Sequence, residues 1–292
     1  MRAAMTAMAL LCLLGFTSQA QAQAEAALSI VVAENVYDDV ARQVAGPGVP
    51  VASILSSPDQ DPHLFEASPS TARAVAAARI VVYNGADYDP WMAKLVQARR
   101  APGQQVIVVA DLVGRKAGAN PHLWYDLAVM PAVARALADA LAVADPANAP
   151  AYAERRRAFE ESLRPLAAKV ANLRARFAGA PVAATEPVFG YMATALGLAM
   201  RNERFQLAIM NETEPRVSDV AAFEADLKGK RVRALLYNSQ ATGPAAQRLL
   251  RLAGRAGVPV VGVTETQPAD TTYQSWMLAQ LDALEAALSA PR

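Results

Sequence analysis

The middle of the chain contains a long helical pattern, in which residues 151–177 read AYAERRRAFEESLRPLAAKVANLRARF. Apolar residues recur there at the three- and four-residue spacing of one helix face: Leu163, Leu166, Val170, Leu173 and Phe177. This spacing predicts one long helix that begins near Asp145 and ends near Gly179. Pro165 predicts a kink, because proline lacks the N–H that the helix needs. The length favours a rigid connector between two lobes over one more crossover helix.

Short runs rich in Val and Ile lie on both sides of this helix and show little polar alternation, as do strands buried on both faces of a parallel sheet. The strands predicted before it are Ser29–Ala33, Val49–Leu55, Ile80–Tyr83 and Val106–Ala110, with helices at Val36–Val44, Ser68–Ala77 and Pro90–Arg99. Those predicted after it are Pro181–Ala184, Phe205–Ile209, Val232–Tyr237 and Val258–Val263, with helices at Pro187–Leu196, Val217–Leu227, Pro244–Ala256 and Thr272–Leu288. Two tandem βα arrays predict an α/β fold of two doubly wound parallel-sheet lobes joined by one long helix. The expected divisions are 25–144 for the first lobe, 145–179 for the linking helix and 180–292 for the second lobe.

Residues 1–24 have the pattern of a secretory signal peptide. Arg2 is followed by the apolar stretch Met8–Phe16, which is too short to span a bilayer, and then by SQAQAQA with small-x-small cleavage sites. The alternative is a buried N-terminal helix. We expect the mature protein in the periplasm, without a lipid anchor, because the residues before Cys12 do not fit a lipoprotein signal.

The composition limits the chemistry of the mature chain. Its only cysteine is Cys12 of the predicted leader, so a metal site in the mature protein must use nitrogen and oxygen ligands. Removing Arg2 with the leader leaves 27 of the 28 basic residues against 27 acidic ones. A net charge near zero gives no sign of a nucleic-acid partner.

The two histidines of the chain occupy matching contexts, DPHL at 61–64 and NPHL at 120–123. Each follows a predicted strand of the first lobe, and parallel α/β lobes bind ligands at the carboxyl ends of their strands. The preceding proline restricts the backbone and helps to aim the imidazole. A lone histidine is most often a surface or core residue, but two in matching contexts favour a shared site formed by His63 and His122.

The second lobe provides carboxylates in equivalent places. Glu186 directly follows the strand Pro181–Ala184, although it could instead be an acid that stabilises a helix N-terminus. Glu265 directly follows Val258–Val263, whereas Asp270 lies nearer the next helix and could serve at its N-cap. The position at the strand end favours Glu265. Two neutral imidazoles and two carboxylates balance a divalent cation and suit Zn, Mn or Fe(II) better than Cu(I) or Ca.

These motifs resemble the solute-binding proteins of bacterial zinc/manganese ABC importers, which have two α/β lobes joined by a long rigid helix. The similar segments are DPHLFEASPS (61–70), VVYNGADYDPWM (81–92), NPHLWYDL (120–127), TEPVFGYMATALGL (185–198) and VTETQPADTTYQSWM (263–277). The resemblance implies four metal ligands: His63, His122, Glu186 and Glu265. Aspartate is usual at the fourth position, so Asp270 stays in reserve. Asn120 stands where the family usually has aspartate, and Asp61 or Asp126 could orient a ligating imidazole.

The resemblance further implies one divalent metal ion as cargo, bound in the cleft between the lobes, and an ABC permease of the inner membrane as partner. We expect a monomer without catalytic activity. Glutamate at position 186 is typical of manganese receptors and many zinc receptors have a histidine-rich loop that this chain lacks, but loop-free zinc receptors leave both metals open. Two alternatives are a periplasmic zinc hydrolase, for which no HExxH or GxSxG motif is present, and a receptor for an organic solute.

Overall fold

A computed structural model describes residues 28–57, 65–98, 100–211, 213–240 and 243–291 of the chain. The predicted signal peptide lies outside these ranges, as do His63 and Asp61. Within them, no helix has the length and apolar character that crossing a membrane requires.

The first lobe is a four-stranded parallel sheet in the order β2-β1-β3-β4. Its strands are β1 Ile30–Glu34, β2 Val51–Leu55, β3 Ile80–Tyr83 and β4 Gln105–Val108. Its helices are α1 Asn35–Ala45, α2 Pro69–Ala77, α3 Pro90–Ala98, α4 Val109–Leu112 and α5 Val129–Ala144. Every residue of β1 and of β3 is buried, which explains why these strands lack polar alternation.

The second lobe repeats this architecture in the order β6-β5-β7-β8, again entirely parallel. Its strands are β5 Pro181–Ala184, β6 Ala199–Arg201, β7 Ala234–Asn238 and β8 Val260–Val263. Its helices are α8 Gly190–Ala195, α9 Glu203–Met210, α10 Val217–Lys228, α11 Pro244–Ala256 and α12 Tyr273–Ser289. The predicted α/β fold of two doubly wound parallel-sheet lobes is therefore confirmed.

One predicted strand, Phe205–Ile209, is wrong: this segment belongs to helix α9, and the edge strand β6 lies just before it. A short apolar run cannot be assigned to strand or helix by periodicity alone. The tertiary contact decides, since the ring of Phe205 packs edge-to-face against Phe223 of α10 with centroids 5.1 Å apart.

The connector between the lobes consists of two consecutive helices, α6 Ala149–Ser162 and α7 Arg164–Phe177. The interruption lies at Leu163, two residues before Pro165. The N–H of Leu163 bonds to the carbonyl of Glu160, three residues back, rather than to that of Phe159, four residues back. The predicted irregularity therefore has its physical cause in the proline. Gly179, with φ of 79°, follows the end of α7.

The lobes and the connector share one continuous apolar core. It contains Val32 of the first sheet, Leu166 of α7, Val182 of the second sheet and Leu284 of α12. Helix α12 also packs against α7 and touches α1 of the other lobe. This shared packing brings the carboxyl ends of the two sheets to face each other.

Candidate metal site

His122 lies between the two lobes, just before the 3₁₀ turn Leu123–Tyr125. Its side chain is 1% exposed. The rings of Tyr88 and Trp124 meet the imidazole edge-on, with centroids 6.0 and 5.6 Å away. The imidazole is therefore fixed in a buried aromatic setting rather than turned toward solvent.

Asn120 selects the neutral tautomer of His122. The Oδ1 atom of Asn120 accepts the backbone N–H of His122 at 3.1 Å, while its Nδ2 donates to the carbonyl of Pro187 at 2.7 Å, so the orientation of this amide is determined by its partners. The same Oδ1 lies 2.7 Å from Nδ1 of His122, so Nδ1 must carry the proton and donate it. The lone pair of neutral His122 is consequently on Nε2.

That nitrogen faces a carboxylate of the second lobe. Nε2 of His122 lies 3.4 Å from Oε2 of Glu265, with both side chains buried, and has no hydrogen-bond partner within the described ranges. A lone pair opposite a carboxylate oxygen is unfavourable unless a proton or a cation lies between them. Two atoms that bind one tetrahedral zinc ion at ~2.0–2.1 Å are about 3.3 Å apart. The observed separation fits two ligands of one cation.

Glu265 is held by further contacts. Its Oε1 accepts from Nδ2 of Asn238 at 2.6 Å, and its Oε2 accepts from the hydroxyl of Tyr88 at 2.8 Å. Oε1 of Gln240 accepts the backbone N–H of Glu265 at 2.6 Å and that of Thr266 at 3.1 Å. Hydrogen bonds therefore orient both the backbone and the side chain of Glu265.

Glu186 lies nearby but does not touch His122 in the contacts observed. It is half-buried after β5, and its Oε2 accepts from the same Nδ2 of Asn238 at 2.9 Å. No group of three or more His, Cys, Asp or Glu side chains is arranged to hold a metal ion within the described part of the chain, from which His63 is missing. The structure thus brings His122 and Glu265 together and connects Glu186 to them through Asn238.

Two other predicted carboxylates lie elsewhere. Asp270 is exposed in a turn, with φ of 58°. Asp126 pairs with Arg115 at 3.3 Å and accepts the backbone N–H of Ala128, and a hydrogen bond to the imidazole of His122 is not among its contacts in the described part of the chain. Asn120 provides that contact instead.

Sequence reasoning missed Asn238, Tyr88 and the orienting role of Asn120. Asn238 ends β7 and Tyr88 follows β3. Their positions at the carboxyl ends of parallel strands, where ligands bind, could have identified them as site residues. Neither residue type suggests metal binding, however, and only the tertiary structure shows that both donate to Glu265.

A second pair of carboxyl groups lies buried in the first lobe, near the candidate site. Glu34 ends β1 and Asp89 follows β3, and both are almost fully buried. Burial and the neighbouring Asp89 carboxyl raise the pKa of Glu34 well above its usual value. Burial also raises the pKa of Asp89 to about 6, although it accepts the backbone N–H groups of Asn84 and Gly85 at 2.7 and 2.8 Å.

Direct hydrogen bonds join the lobes around the site. The side chain of Asn35 donates to the carbonyl of Gln267 at 2.8 Å and accepts its N–H at 2.9 Å. The hydroxyl of Tyr125 lies 2.8 Å from the carbonyl of Thr264, to which it donates. The hydroxyl of Tyr273 donates to the carbonyl of Trp124 at 2.8 Å. Trp124, Tyr125, Thr264 and Gln267 lie close in the chain to His122 or Glu265, so these bonds connect the lobes next to the site.

Known proteins show similarity along nearly the whole described chain. The family described as ZnuA, zinc-uptake complex component A, periplasmic, matches residues 30–287. The metal ABC transporter substrate-binding lipoprotein SloC of Streptococcus mutans is 24% identical over 301 residues, covering 96% of each chain.

Solved structures show the same fold. The periplasmic zinc binding protein TroA from Treponema pallidum superposes with a TM-score of 0.77 at 19% identity, over 90% of this chain and 99% of that one. The SBP FpvC from Pseudomonas aeruginosa, solved in complex with Mn²⁺, gives a TM-score of 0.71 at 22% identity, over 89% of this chain and 98% of that one. Both likenesses extend over the two lobes and the connector.

Proposed function

This chain belongs to the family of periplasmic zinc-uptake complex components A, and we propose that it captures one divalent transition-metal ion, zinc or manganese, between its lobes and delivers it to an ABC importer. Relatives and structural neighbours are named for zinc, manganese or iron, so the names leave the cargo open. The metal is the transported substrate rather than a resident cofactor.

The contact between His122 and Glu265 is the observation that carries this proposal. Their facing atoms are 3.4 Å apart, and Asn120 keeps the lone pair of neutral His122 on that side. A divalent cation would convert an unfavourable contact into two coordinate bonds.

The proposed ligands are His63 and His122 from the first lobe and Glu186 and Glu265 from the second. Glu265 is preferred to Asp270 because it is buried beside His122, whereas Asp270 is exposed. Two neutral imidazoles and two carboxylates would neutralise the charge of the ion, which a buried site requires. Glu186 accepts a hydrogen bond from Asn238 at 2.9 Å, and because each carboxylate oxygen has two lone pairs this bond is compatible with metal coordination.

A receptor explains this arrangement better than an enzyme. Catalytic zinc sites keep one coordination position for water or substrate, whereas four protein ligands would occupy all positions of a tetrahedral ion. The relatives are named as substrate-binding proteins. A receptor for an organic solute would not need an imidazole with its lone pair opposite a buried carboxylate.

We further propose that the mature protein is a periplasmic monomer that docks on an inner-membrane permease. Several relatives are named lipoproteins, and a lipid on Cys12 would instead tether the protein to the membrane. Mass spectrometry of the mature N-terminus distinguishes the two: cleavage after Ala22 or Ala24 supports the free form, and a lipidated Cys12 contradicts it.

Metal analysis of protein purified from the periplasm tests the proposed function, followed by titration of the metal-free protein with zinc and manganese. We expect one tightly bound equivalent, and its loss in the His63→Ala and His122→Ala variants. Full metal binding in both variants, or the absence of any titratable site in the wild-type protein, would refute the proposal.

A further inference from the structure

The side chain of Asn84 connects three separate segments of the first lobe. It follows β3, is fully buried, and donates through Nδ2 to the carbonyls of Gly85 and Pro121, both at 2.9 Å. Its Oδ1 accepts the hydroxyl of Tyr37, from α1, at 2.5 Å. Both hydrogens and the oxygen of the amide therefore have partners, and these partners determine its orientation.

The contact with Pro121 fixes the peptide group that leads into His122. The carbonyl of this group accepts from Asn84, and its N–H, which belongs to His122, donates to Oδ1 of Asn120 at 3.1 Å. A peptide group is planar, so hydrogen bonds at both of its ends fix the plane.

His122 is also the central residue of a tight turn that uses the same carbonyl. Its φ of −77° and ψ of 58° are those of an inverse γ-turn, and the N–H of Leu123 closes the turn by donating to the carbonyl of Pro121 at 2.7 Å. The carbonyl that closes the turn is therefore the one that Asn84 holds. Asn84 consequently supports the backbone conformation that aims the imidazole.

Tyr37 keeps the amide of Asn84 turned the right way. Burial, followed by the charges of Glu34 and Asp89, raises the pKa of Tyr37 well above its usual value, so the phenol keeps its proton and remains a donor. Only Oδ1 of Asn84 can accept that proton, which leaves Nδ2 for Pro121. The reversed amide would set its oxygen against the carbonyl of Pro121.

The backbone of Asn84 is fixed as well. Its N–H donates to Oδ2 of Asp89 at 2.7 Å, and its carbonyl accepts the N–H of Ala110 at 2.9 Å. Gly85 allows this close approach, because it has φ of 74° and a Cβ atom there would lie 2.8 Å from Cγ1 of Val108. Asn84 is thus a fixed point at the edge of the first sheet.

Resting on the proposed function, in which His122 binds the metal ion, we propose that Asn84 and Tyr37 are positioning residues of the metal site. Through the carbonyl of Pro121 they hold the turn at His122. This turn directs Nε2 of His122 toward Oε2 of Glu265, 3.4 Å away.

Chelator competition for zinc, on metal-free wild-type protein and on Asn84→Ala, tests this role. Loss of a group that orients a metal-binding histidine typically costs about 10–100-fold in affinity, and we expect a loss of this size. The ring ¹⁵N chemical shifts of His122 provide a second measurement on the metal-free proteins. Wild-type protein should show the proton on Nδ1, and Asn84→Ala a mixture of tautomers, because the ring is no longer held beside Asn120.

Gln104→Ala is the matched control. Gln104 is another buried side-chain amide of the first lobe, and its Nε2 donates to the carbonyls of Val75 and Ala78 at 2.8 and 2.9 Å. It directly precedes β4, at the amino-terminal edge of the sheet and away from the site. Both variants lose two bonds to backbone carbonyls and should be destabilised to a similar extent, but only Asn84→Ala should lose metal affinity.

Tyr37→Phe is a milder variant that tests the same contact if Asn84→Ala does not fold. It removes one hydroxyl, so the amide of Asn84 loses the donor that orients it, and zinc affinity should fall by about two- to tenfold. Wild-type affinity together with unchanged ¹⁵N shifts of His122 in Tyr37→Phe would overturn the inference.

The same measurements separate this inference from the proposed function. An equal loss of affinity in Gln104→Ala would mean that destabilisation of the lobe, and not the turn at His122, weakens binding, and would overturn the inference. So would wild-type affinity in Asn84→Ala while His122→Ala loses the metal, a result that leaves the proposed function intact. Wild-type protein without bound metal would refute both.

Discussion

His122 and Glu265 meet across the lobes with 3.4 Å between Nε2 and Oε2, and no hydrogen bond joins these two atoms. In the neutral imidazole the single ring proton is on Nδ1, where Asn120 accepts it. The contact is therefore one between two electron-pair donors. Such a pair is stable in a buried position only if its surroundings hold it, which Asn238, Tyr88 and Asn120 do.

The first prediction concerns the fourth ligand. Glu265→Ala should abolish tight metal binding, because it removes the carboxylate nearest to His122. Asp270→Ala should keep wild-type affinity, since Asp270 is exposed. Isothermal titration of the two metal-free variants provides the comparison, and the reverse result would transfer the ligand role to Asp270.

The second prediction concerns the tautomer of His122. Asn120→Leu removes the acceptor for Nδ1–H, so metal affinity should fall by about 10–100-fold. Asn120→Asp should recover most of this loss, because a carboxylate also accepts that proton. The ¹⁵N chemical shifts of His122 report the tautomer directly, and an unchanged tautomer in Asn120→Leu would contradict the proposed role.

The third prediction concerns the bond between the lobes at Asn35. Asn35→Ala removes two hydrogen bonds to the backbone of Gln267 and should lower the free energy of unfolding by about 1–3 kcal/mol. Metal release into excess chelator should also become faster. Asn172→Ala is the control, since its bond to Arg176 lies on an exposed face of α7 and should change neither quantity.

The fourth prediction concerns pH and the buried pair of Glu34 and Asp89. The pKa of Asp89 is about 6 in the folded protein, above its ordinary value of 3.8, so the folded state binds the proton more tightly than the unfolded state does. Its contribution to stability is therefore complete below about pH 4 and is lost as the pH rises through about 6. The raised pKa of Glu34 acts in the same direction.

Glu34→Gln should therefore raise the melting temperature of the metal-free protein at pH 8 by about 2 °C or more, and by less at pH 4. Calorimetry across this range provides the measurement. Glu154→Gln, which changes an exposed carboxylate of α6, should show no such difference. A larger gain at pH 4 than at pH 8 would contradict the assignment.

The sequence alone was sufficient to predict the two lobes, the helical connector and seven of the eight strands in the described part of the chain. Periodicity is local, so an apolar run such as Ile80–Tyr83 shows its buried strand directly, and Pro165 indicates the irregularity in the linking helices. Periodicity gave the wrong assignment at Phe205–Ile209, because a short apolar run is compatible with a strand or a helix. This segment is helical in the structure, where Phe205 packs against Phe223.

The candidate site, like the fold, was partly predictable from the sequence and partly decided by the tertiary structure. By itself the sequence determined which residues can ligate, because the chain has only two histidines and a few carboxylates follow second-lobe strands. Only the tertiary structure decided that Glu265 rather than Asp270 lies beside His122, and that Asn238, Tyr88 and Asn120 orient the pair. Hydrogen bonds between residues far apart in the chain leave no trace in local spacing, since they depend on how two lobes pack around a shared core.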